Sequence, residues 1–395
     1  SHSPMEPMNA VVRIEGDQGD VWTGIQFPSA VPGLVSRVAD IPAENVRFHQ
    51  TYLGGGFGRR GSPSHIIEAT EIAKVAGKPI QLVWTREDDI QQGPFRPASL
   101  MRIKAGVDAD GNLIAWDAAR AGADISPDTF RSLLPALYSW MGDGMIEGVA
   151  NLSEWYFEKF ATDESSIEGL FEDYDHPNTR VTHMTVDHEL PMTFWRSVGH
   201  SYTAFAKESM IDEMAEAAGM DEVAFRLQNT QNTPRLNNVI RVAGEQMAKM
   251  NPPEGHHLGF AAHHSFYTDV AEIAEVSVEN GKIRVHKVTC VLDCGQAVNP
   301  DIVRSQIEGG VIYGLTATLY GGLNLERGAI KESNFHDYLM LRMNESPEIE
   351  VVIIDSGTKP TGVGEPGLPP IAPAVANAVY KATGQRLRSL PLRLV

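Results

Sequence analysis

Residues 362–370 read Gly-Val-Gly-Glu-Pro-Gly-Leu-Pro-Pro, and a run of small apolar residues follows them. A single carboxylate, Glu365, stands between glycines and prolines. Proline fixes φ and pre-sets a helix start. Glycine has no Cβ and lets backbone approach a ligand closely. The segment therefore predicts a rigid turn at a helix N-terminus, with Glu365 held on the turn rather than on a solvated face. A general base must be presented to a bound molecule in that way. A loop with a helix-capping Glu would have the same pattern, so the motif gains meaning only beside others.

A second motif supplies company. Tyr52-Leu53-Gly54-Gly55-Gly56-Phe57-Gly58-Arg59-Arg60 follows an alternating apolar run over 46–53 and precedes a helical pattern over 64–76. Three glycines at a strand end allow main-chain N–H groups to face a ligand, with Phe57 turned outward. Arg59 and Arg60 suit an anion such as phosphate. The loop has neither the G-x-G-x-x-G spacing nor a P-loop Lys-Ser/Thr, which excludes a Rossmann or P-loop site.

The rest of the chain reads as α+β. Strands are expected over 21–25, 46–53, 80–85, 101–107, 113–118, 272–278, 283–292 and 349–355. Helices are expected over 31–39, 64–76, 202–219, 300–319 and 372–383. Asp108 to Asn112 and Asn280-Gly281 mark hairpin turns. Asn299-Pro300 supplies an N-cap and a first-position proline. Residues 126–175 are rich in acids and aromatics, among them Trp140, Trp155 and Phe160, and predict helices on the surface of a first domain. The helix over 202–219 is expected to be amphipathic, with Gly219 at its C-terminal end. A linker over 244–255 divides a domain 1–245 from a domain 255–395.

Composition narrows the class. The chain has 395 residues and a formal charge of -18, which argues against nucleic-acid binding and against an anionic membrane surface. No apolar run reaches membrane-crossing length, so a soluble chain is expected, with periplasm and cytoplasm both open. The two cysteines, Cys290 and Cys294, are too few for a zinc or iron–sulfur site. They fit two small buried residues on one face of a strand. His2, His256, His257, His263 and His264 lack metal-ligand spacing.

Five stretches then occur in the order of one family: residues 5–10, 52–60, Phe194-Trp195-Arg196-Ser197-Val198-Gly199, Asp293-Cys294-Gly295-Gln296-Ala297-Val298-Asn299-Pro300, and 362–370. Together they resemble the molybdopterin-binding large subunit of the xanthine dehydrogenase/aldehyde oxidase family, in its isoquinoline 1-oxidoreductase β-subunit branch. The resemblance implies two molybdopterin-binding-type α+β domains and a molybdenum hydroxylase. Such an enzyme oxidises an aldehyde or hydroxylates an N-heteroaromatic carbon with oxygen from water. Glu365 matches the family's general base. Gly55, Gly56, Phe57, Gly58 and Gly364 would lie against the cofactor, with Trp195 and Arg196 beside the pterin and substrate. Arg180 would orient substrate. The cofactor would be molybdopterin, with a cytosine dinucleotide form open, and iron–sulfur clusters would sit on a partner only.

The resemblance also has gaps. The family's Gly-Gln-Gly segment and hammerhead-like domain are not in this sequence, and the family pattern runs straight through residue 1. The expected partners are an upstream half of the large subunit as a separate chain, an iron–sulfur small subunit and a small-molecule substrate. A self-cleaved precursor is the alternative. Ser1 would then be an N-terminal nucleophile of an amide or lactone hydrolase, with its α-amine as base and the N–H groups of residues 54–58 as oxyanion hole.

Overall fold

The computed structural model describes residues 1–138, 140–186 and 190–394. Alternation begins earlier than expected. Strand β1 (Asn9–Glu15) and strand β2 (Gln18–Thr23) pair antiparallel, with Val11 opposite Trp22 and Glu15 opposite Gln18. The first helix, α1 (Val31–Ala39), buries Val31, Leu34 and Val35, and β3 (Val46–Gln50) returns parallel to β2. Helix α2 (Ser64–Ala76) lays Ile66, Ala69 and Ala73 on this sheet, and β4 (Ile80–Val83) closes it in the order β3-β2-β1-β4. Strand β3 ends at Gln50, so 51–58 is free to form the glycine loop at its C-terminal end.

Helix α3 (Arg86–Gln91) opens with a capping box between Thr85 and Asp88. The hairpin of β5 (Ser99–Val107) and β6 (Leu113–Gly122) forms across the expected turn. Helices α4 (Ser126–Leu137), α5 (Asp143–Lys159) and α6 (Glu164–Ile167) fill the acidic, aromatic region, and α4 packs on α1 as surface helices of the first sheet should. Strand β7 (Thr179–Thr185) then joins β6 in parallel.

Helix α7 (His200–Ala217) corrects the amphipathic reading. Five consecutive residues, Ser201 to Phe205, are buried, because the helix lies between β5 and the second half of the chain. Gly219 follows its end at a φ of 64°. Helix α8 (Glu222–Gln228) is capped by Asp221. Helix α9 (Pro234–Met247) runs through the first part of the expected linker, which leaves only 248–255 between it and β8 (His256–Ser265).

Strands β8, β9 (Thr268–Glu279) and β10 (Lys282–Asp293) form an antiparallel set. Asn280 and Gly281 both have positive φ, the type I′ geometry that suits a two-residue hairpin. Helix α10 (Pro300–Leu319) starts where predicted, with Asn299 accepting from the N–H groups of Asp301 and Ile302. A short ribbon of β11 (Leu325–Glu326) and β12 (Ala329–Ile330) follows. Strand β13 (Glu348–Ile354) adds in parallel to β10, and α11 (Ile371–Thr383) ends at Gly384.

Both faces of this second sheet are covered. Ala271, Ile273 and Val291 face α9, whereas Val270, Ala274, Val288, Cys290 and Leu292 face α10 and α11. Each fully buried Val, Ile or Leu contributes about 1.5–3 kcal/mol of transfer free energy. The two cysteines are free and buried in the same core cluster, as their spacing implied. By its packing, α9 belongs with the second sheet although most of it lies before residue 245. Among the described residues, no helix is long and apolar enough to cross a membrane.

Candidate functional site

The glycine loop, the Phe194–Val198 turn, α10 and the Gly364-Glu365 turn meet around one cleft of about 600 Å³. Its lining includes Gly55, Gly56, Phe57, Gly58, Trp195, Arg196, Gly364 and Glu365, eight residues read from sequence as site residues. It also includes Val198, from the 194–199 motif, and Gln26 and Gln306, which lie in none of the motifs.

Glu365 is held from its own turn and from across the cleft. The Ser197 N–H donates to Glu365 Oε1 at 2.9 Å, and the Ser197 hydroxyl donates to the Glu365 carbonyl at 2.8 Å. Burial raises the Glu365 carboxyl above its ordinary range, while the Ser197 N–H and the Arg196 guanidinium pull it the other way. A half-buried, oriented carboxylate with a raised pKa holds a proton better than an exposed one and is suited to the role of a base.

Arg196 ties three walls together. Its N–H donates to the Phe57 carbonyl at 3.0 Å, its Nε to the Gly364 carbonyl at 2.7 Å, and its Nη2 to the Gln306 carbonyl at 3.0 Å. The turn that carries it is strained. Phe57, Ser197 and Val198 have φ of 56°, 74° and 49°. For a β-branched residue such as Val198 that conformation is a true outlier, and such strain gathers at functional sites.

The aromatic side of the cleft is a stack. Tyr313 lies between Phe57 and Trp195, with ring centroids 4.3 and 4.7 Å away, and the Arg96 guanidinium covers the Trp195 ring at 4.5 Å. Phe57 therefore turns onto Tyr313 rather than outward. The first residues of the chain are woven into this wall. Tyr313 donates its hydroxyl to the His2 carbonyl at 2.7 Å, and Trp195 Nε1 donates to the Ser1 carbonyl at 3.2 Å.

The loop has a reason for its glycines. A Cβ on Gly58 would lie 1.7 Å from the Phe194 carbonyl oxygen, and the residue has a φ of 100°. The Gly54 N–H donates to Glu6 and the Gly58 N–H to Gln26. The N–H groups of Gly55, Gly56 and Phe57 have no acceptor among the described residues. Three adjacent unpaired donors in a cleft wall fit the oxygen-rich edge of a bound anionic or oxo-bearing group.

Three expectations are corrected. Arg59 and Arg60 do not line the cleft. Both are fully buried, and Arg60 donates to the carbonyls of Gly55, Gly24 and Glu6 at 2.9, 3.1 and 3.0 Å. They brace the loop from behind. Arg180 is not in the cleft. It lies exposed on β7 and pairs with Asp117, its Nε donating at 2.9 Å. Ser1 is not among the residues that line the cleft with the loop; its carbonyl accepts from Trp195 Nε1 and its hydroxyl accepts from Ser3.

Comparison with known proteins shows the family. Two models of the molybdopterin cofactor-binding domain match, one over residues 1–124 and 155–230, the other over 195–347. The chain is 33% identical to the isoquinoline 1-oxidoreductase subunit beta of Brevundimonas diminuta, over 99% of this chain and 48% of that protein. It is 29% identical to the membrane-bound aldehyde dehydrogenase (pyrroloquinoline-quinone) of Gluconacetobacter polyoxogenes, over 99% of this chain and 52% of that protein. The chain thus spans about half the length of these curated relatives. Its fold is similar to that of quinoline 2-oxidoreductase from Pseudomonas putida 86, at a TM-score of 0.78 and 14% identity, over 97% of this chain and 72% of that one. Neither relative is named as a hydrolase, and the hydrolase reading of Ser1 has no support from them.

Proposed function

Because the chain belongs to the molybdopterin-binding subunits of the xanthine dehydrogenase/aldehyde oxidase family, in the isoquinoline oxidoreductase branch, we propose that it forms the cofactor-facing part of a molybdenum hydroxylase. The reaction is the oxidation of an aldehyde or the hydroxylation of an N-heteroaromatic carbon, with oxygen from water. When bound, the molybdenum cofactor supplies the two-electron redox centre. The observation that carries the reading is a raised, oriented carboxylate, Glu365, in one cleft with three unpaired backbone donors.

In this reading each group has a role that its geometry permits. Glu365 takes the proton from the water-derived nucleophile as it attacks an electron-poor carbon. The N–H groups of Gly55, Gly56 and Phe57 would hold the cofactor's oxygen edge. The Gln26 and Gln306 amides line the same cleft and offer further donors. Arg196 holds the carboxylate-bearing turn against the glycine loop, so it is a positioning residue. The stack of Phe57, Tyr313 and Trp195 forms an apolar wall against which a flat ring or an aldehyde tail can pack.

The finer assignments follow the same reading. The cofactor takes its cytosine dinucleotide form. Electrons leave to iron–sulfur clusters on a small partner subunit, and an upstream polypeptide completes the cleft. The chain divides near residues 248–255, with α9 packed into the second half.

The test is elemental and isotopic. The purified complex should contain molybdenum and pterin in proportion to this chain. Turnover in ¹⁸O-labelled water should place the label in the oxidised product. A complex free of molybdenum, or product without label, would overturn the proposal.

A further inference from the structure

None of residues 293–300 lines the cleft, although their motif runs in order with the cleft segments. Their place in the fold gives them another task. Residues 355–370, between β13 and α11, form neither strand nor helix, and Glu365 rides on them. A loop of that length needs partners elsewhere for its backbone. Two turns supply them.

The first turn follows β10. The Cys294 carbonyl accepts from the Thr361 N–H at 3.0 Å, and the Gln296 N–H donates to the Thr358 carbonyl at 2.9 Å. Asp293 Oδ1 accepts from the Ser356 hydroxyl at 2.8 Å. Gly295 lets the two segments touch: its φ is 68°, and a Cβ there would lie 2.2 Å from the Lys359 carbonyl oxygen. The second turn joins β8 to β9, with Phe266 and Tyr267 both at positive φ. The Phe266 carbonyl accepts from the Gly362 N–H at 3.3 Å. The hydroxyl of buried Thr268 lies 2.6 Å from that of Thr361 and 2.7 Å from the Gly362 carbonyl. A hydroxyl has one proton, so Thr268 donates to the carbonyl and accepts from Thr361.

Arg235, near the start of α9, joins the two turns. Its Nη2 donates to the Asp293 carbonyl at 3.0 Å and to Asp293 Oδ1 at 3.1 Å. Its Nη1 donates to the Tyr267 carbonyl at 3.3 Å, and its Nε lies 3.6 Å from Asp269 Oδ2. Asp269 and Asp293 are buried and stand opposite each other in the β9–β10 register. Like charges in that position repel. The strand ends that carry the turns therefore need a shared cation, and the guanidinium fork supplies one that also reaches both main chains.

We propose that these two turns are the seat of the Glu365 loop, and that Thr268 and Arg235 are positioning residues for the base, Thr268 directly on the loop and Arg235 through both turns. The inference rests on the reading of Glu365 as the base. Ser197 and Arg196 hold Glu365 and the Gly364 carbonyl from the cleft side. Thr268 and Phe266 hold Gly362, three residues earlier, from the opposite end of the same short stretch. With either end released, the carboxylate loses its aim while its chemistry stays intact. A displacement of about 1 Å at a reacting group can cost roughly 100-fold in rate.

The test is a double-mutant cycle on the molybdenum-loaded complex, with amide hydrogen exchange on the full chain. Thr268→Val removes the hydroxyl, Thr268→Ser keeps it, and Arg235→Gln removes the fork. Thr268→Val and Arg235→Gln should each lower kcat by roughly 10- to 100-fold, with KM and molybdenum content unchanged and Thr268→Ser close to the wild type. In a Glu365→Gln background neither should lower kcat further, because the base they aim is already gone. The Ser197 N–H, which bonds Glu365 and neither of these residues, should exchange faster in both variants. Arg235 is 34% exposed and carries the test if Thr268→Val fails to fold. Additive losses in the cycle, an unchanged kcat, or unchanged exchange at Ser197 would overturn the inference and leave Glu365 as the base. Unchanged turnover in Glu365→Gln alone would overturn the base assignment and this inference with it.

Discussion

Ser197 grips Glu365 twice, its N–H on the carboxylate and its hydroxyl on the carbonyl, at 2.9 and 2.8 Å. Two bonds from one residue fix both the position of the base and the direction in which its free oxygen looks. Serine is held at a φ of 74° to do so.

Glu365→Gln keeps that grip and removes the base. Turnover should fall by about 10²–10⁴-fold with cofactor content unchanged. In the wild type the active form is the carboxylate. Because burial raises its pKa, activity should decline as pH falls through a value above the usual carboxylate range. A pH–rate profile of kcat/KM on the loaded complex checks this, and a limb at the ordinary Glu value would contradict it.

Gly56 and Gly58 should respond differently to alanine. At Gly58 the added Cβ strikes a main-chain oxygen at 1.7 Å and φ is positive, so Gly58→Ala should cost roughly 3 kcal/mol or more and lower soluble yield. At Gly56 the nearest atom is the Gln26 side-chain oxygen at 2.8 Å, which can move. Gly56→Ala should fold with a Tm near that of the wild type and lose cofactor. Thermal unfolding alongside pterin content separates the two.

Arg60 is a strut, so its replacement should act on stability. Arg60→Met removes three bonds to main-chain carbonyls and leaves Glu6 without its buried cation, a change of about 3–5 kcal/mol. Arg180→Ala breaks only an exposed pair with Asp117 and should shift stability by less than about 1 kcal/mol, with kcat/KM intact. A large drop in kcat/KM for Arg180→Ala would restore it as a substrate-orienting residue.

Glu272 offers a pH test outside the cleft. It is fully buried on β9, both its oxygens lack a hydrogen-bond partner, and burial raises its pKa well above the ordinary value. A raised folded pKa means the native chain binds the proton more tightly than the unfolded one. The favourable contribution is therefore present below the unfolded value of about 4.3 and is lost as pH rises toward the folded one. Glu272→Gln should gain stability over the wild type as pH increases from 5 to 8, by about 1–3 kcal/mol. Denaturant melts at both ends of that range measure it.

Local punctuation made much of the fold legible. Asn299-Pro300 set the start of α10, Asn280-Gly281 set the β9–β10 turn, and Gly384 set the end of α11. Each is a short-range rule that packing does not override. The cleft was legible where a motif repeats a family's residues, at 55–58, 195–196 and 364–365. What failed depended on long-range burial. Arg59 and Arg60 read as ligand-facing because charge suggests solvent, yet Glu6 and three carbonyls draw Arg60 inward. Helix α7 read as one-sided because Glu208 and Asp212 look like a polar face. They are buried, with Glu208 bonded to Arg226 at 3.0 Å and Asp212 bonded to Arg386 at 2.6 Å. Gln306 gave no signal, since an isolated glutamine on a helix has no spacing to betray it.

The cleft is stitched from distant parts of the sequence: Tyr313 holds the His2 carbonyl, Tyr338 the Ser1 carbonyl, and Ser197 the carboxylate at 365. These pairs stand 311, 337 and 168 positions apart in sequence. Each bond closes a long loop, and non-local contacts form only after that closure has been achieved. Hairpins such as β9–β10 close over two residues. The binding surface is therefore the part of this fold that order reaches last, after the sheets that support it.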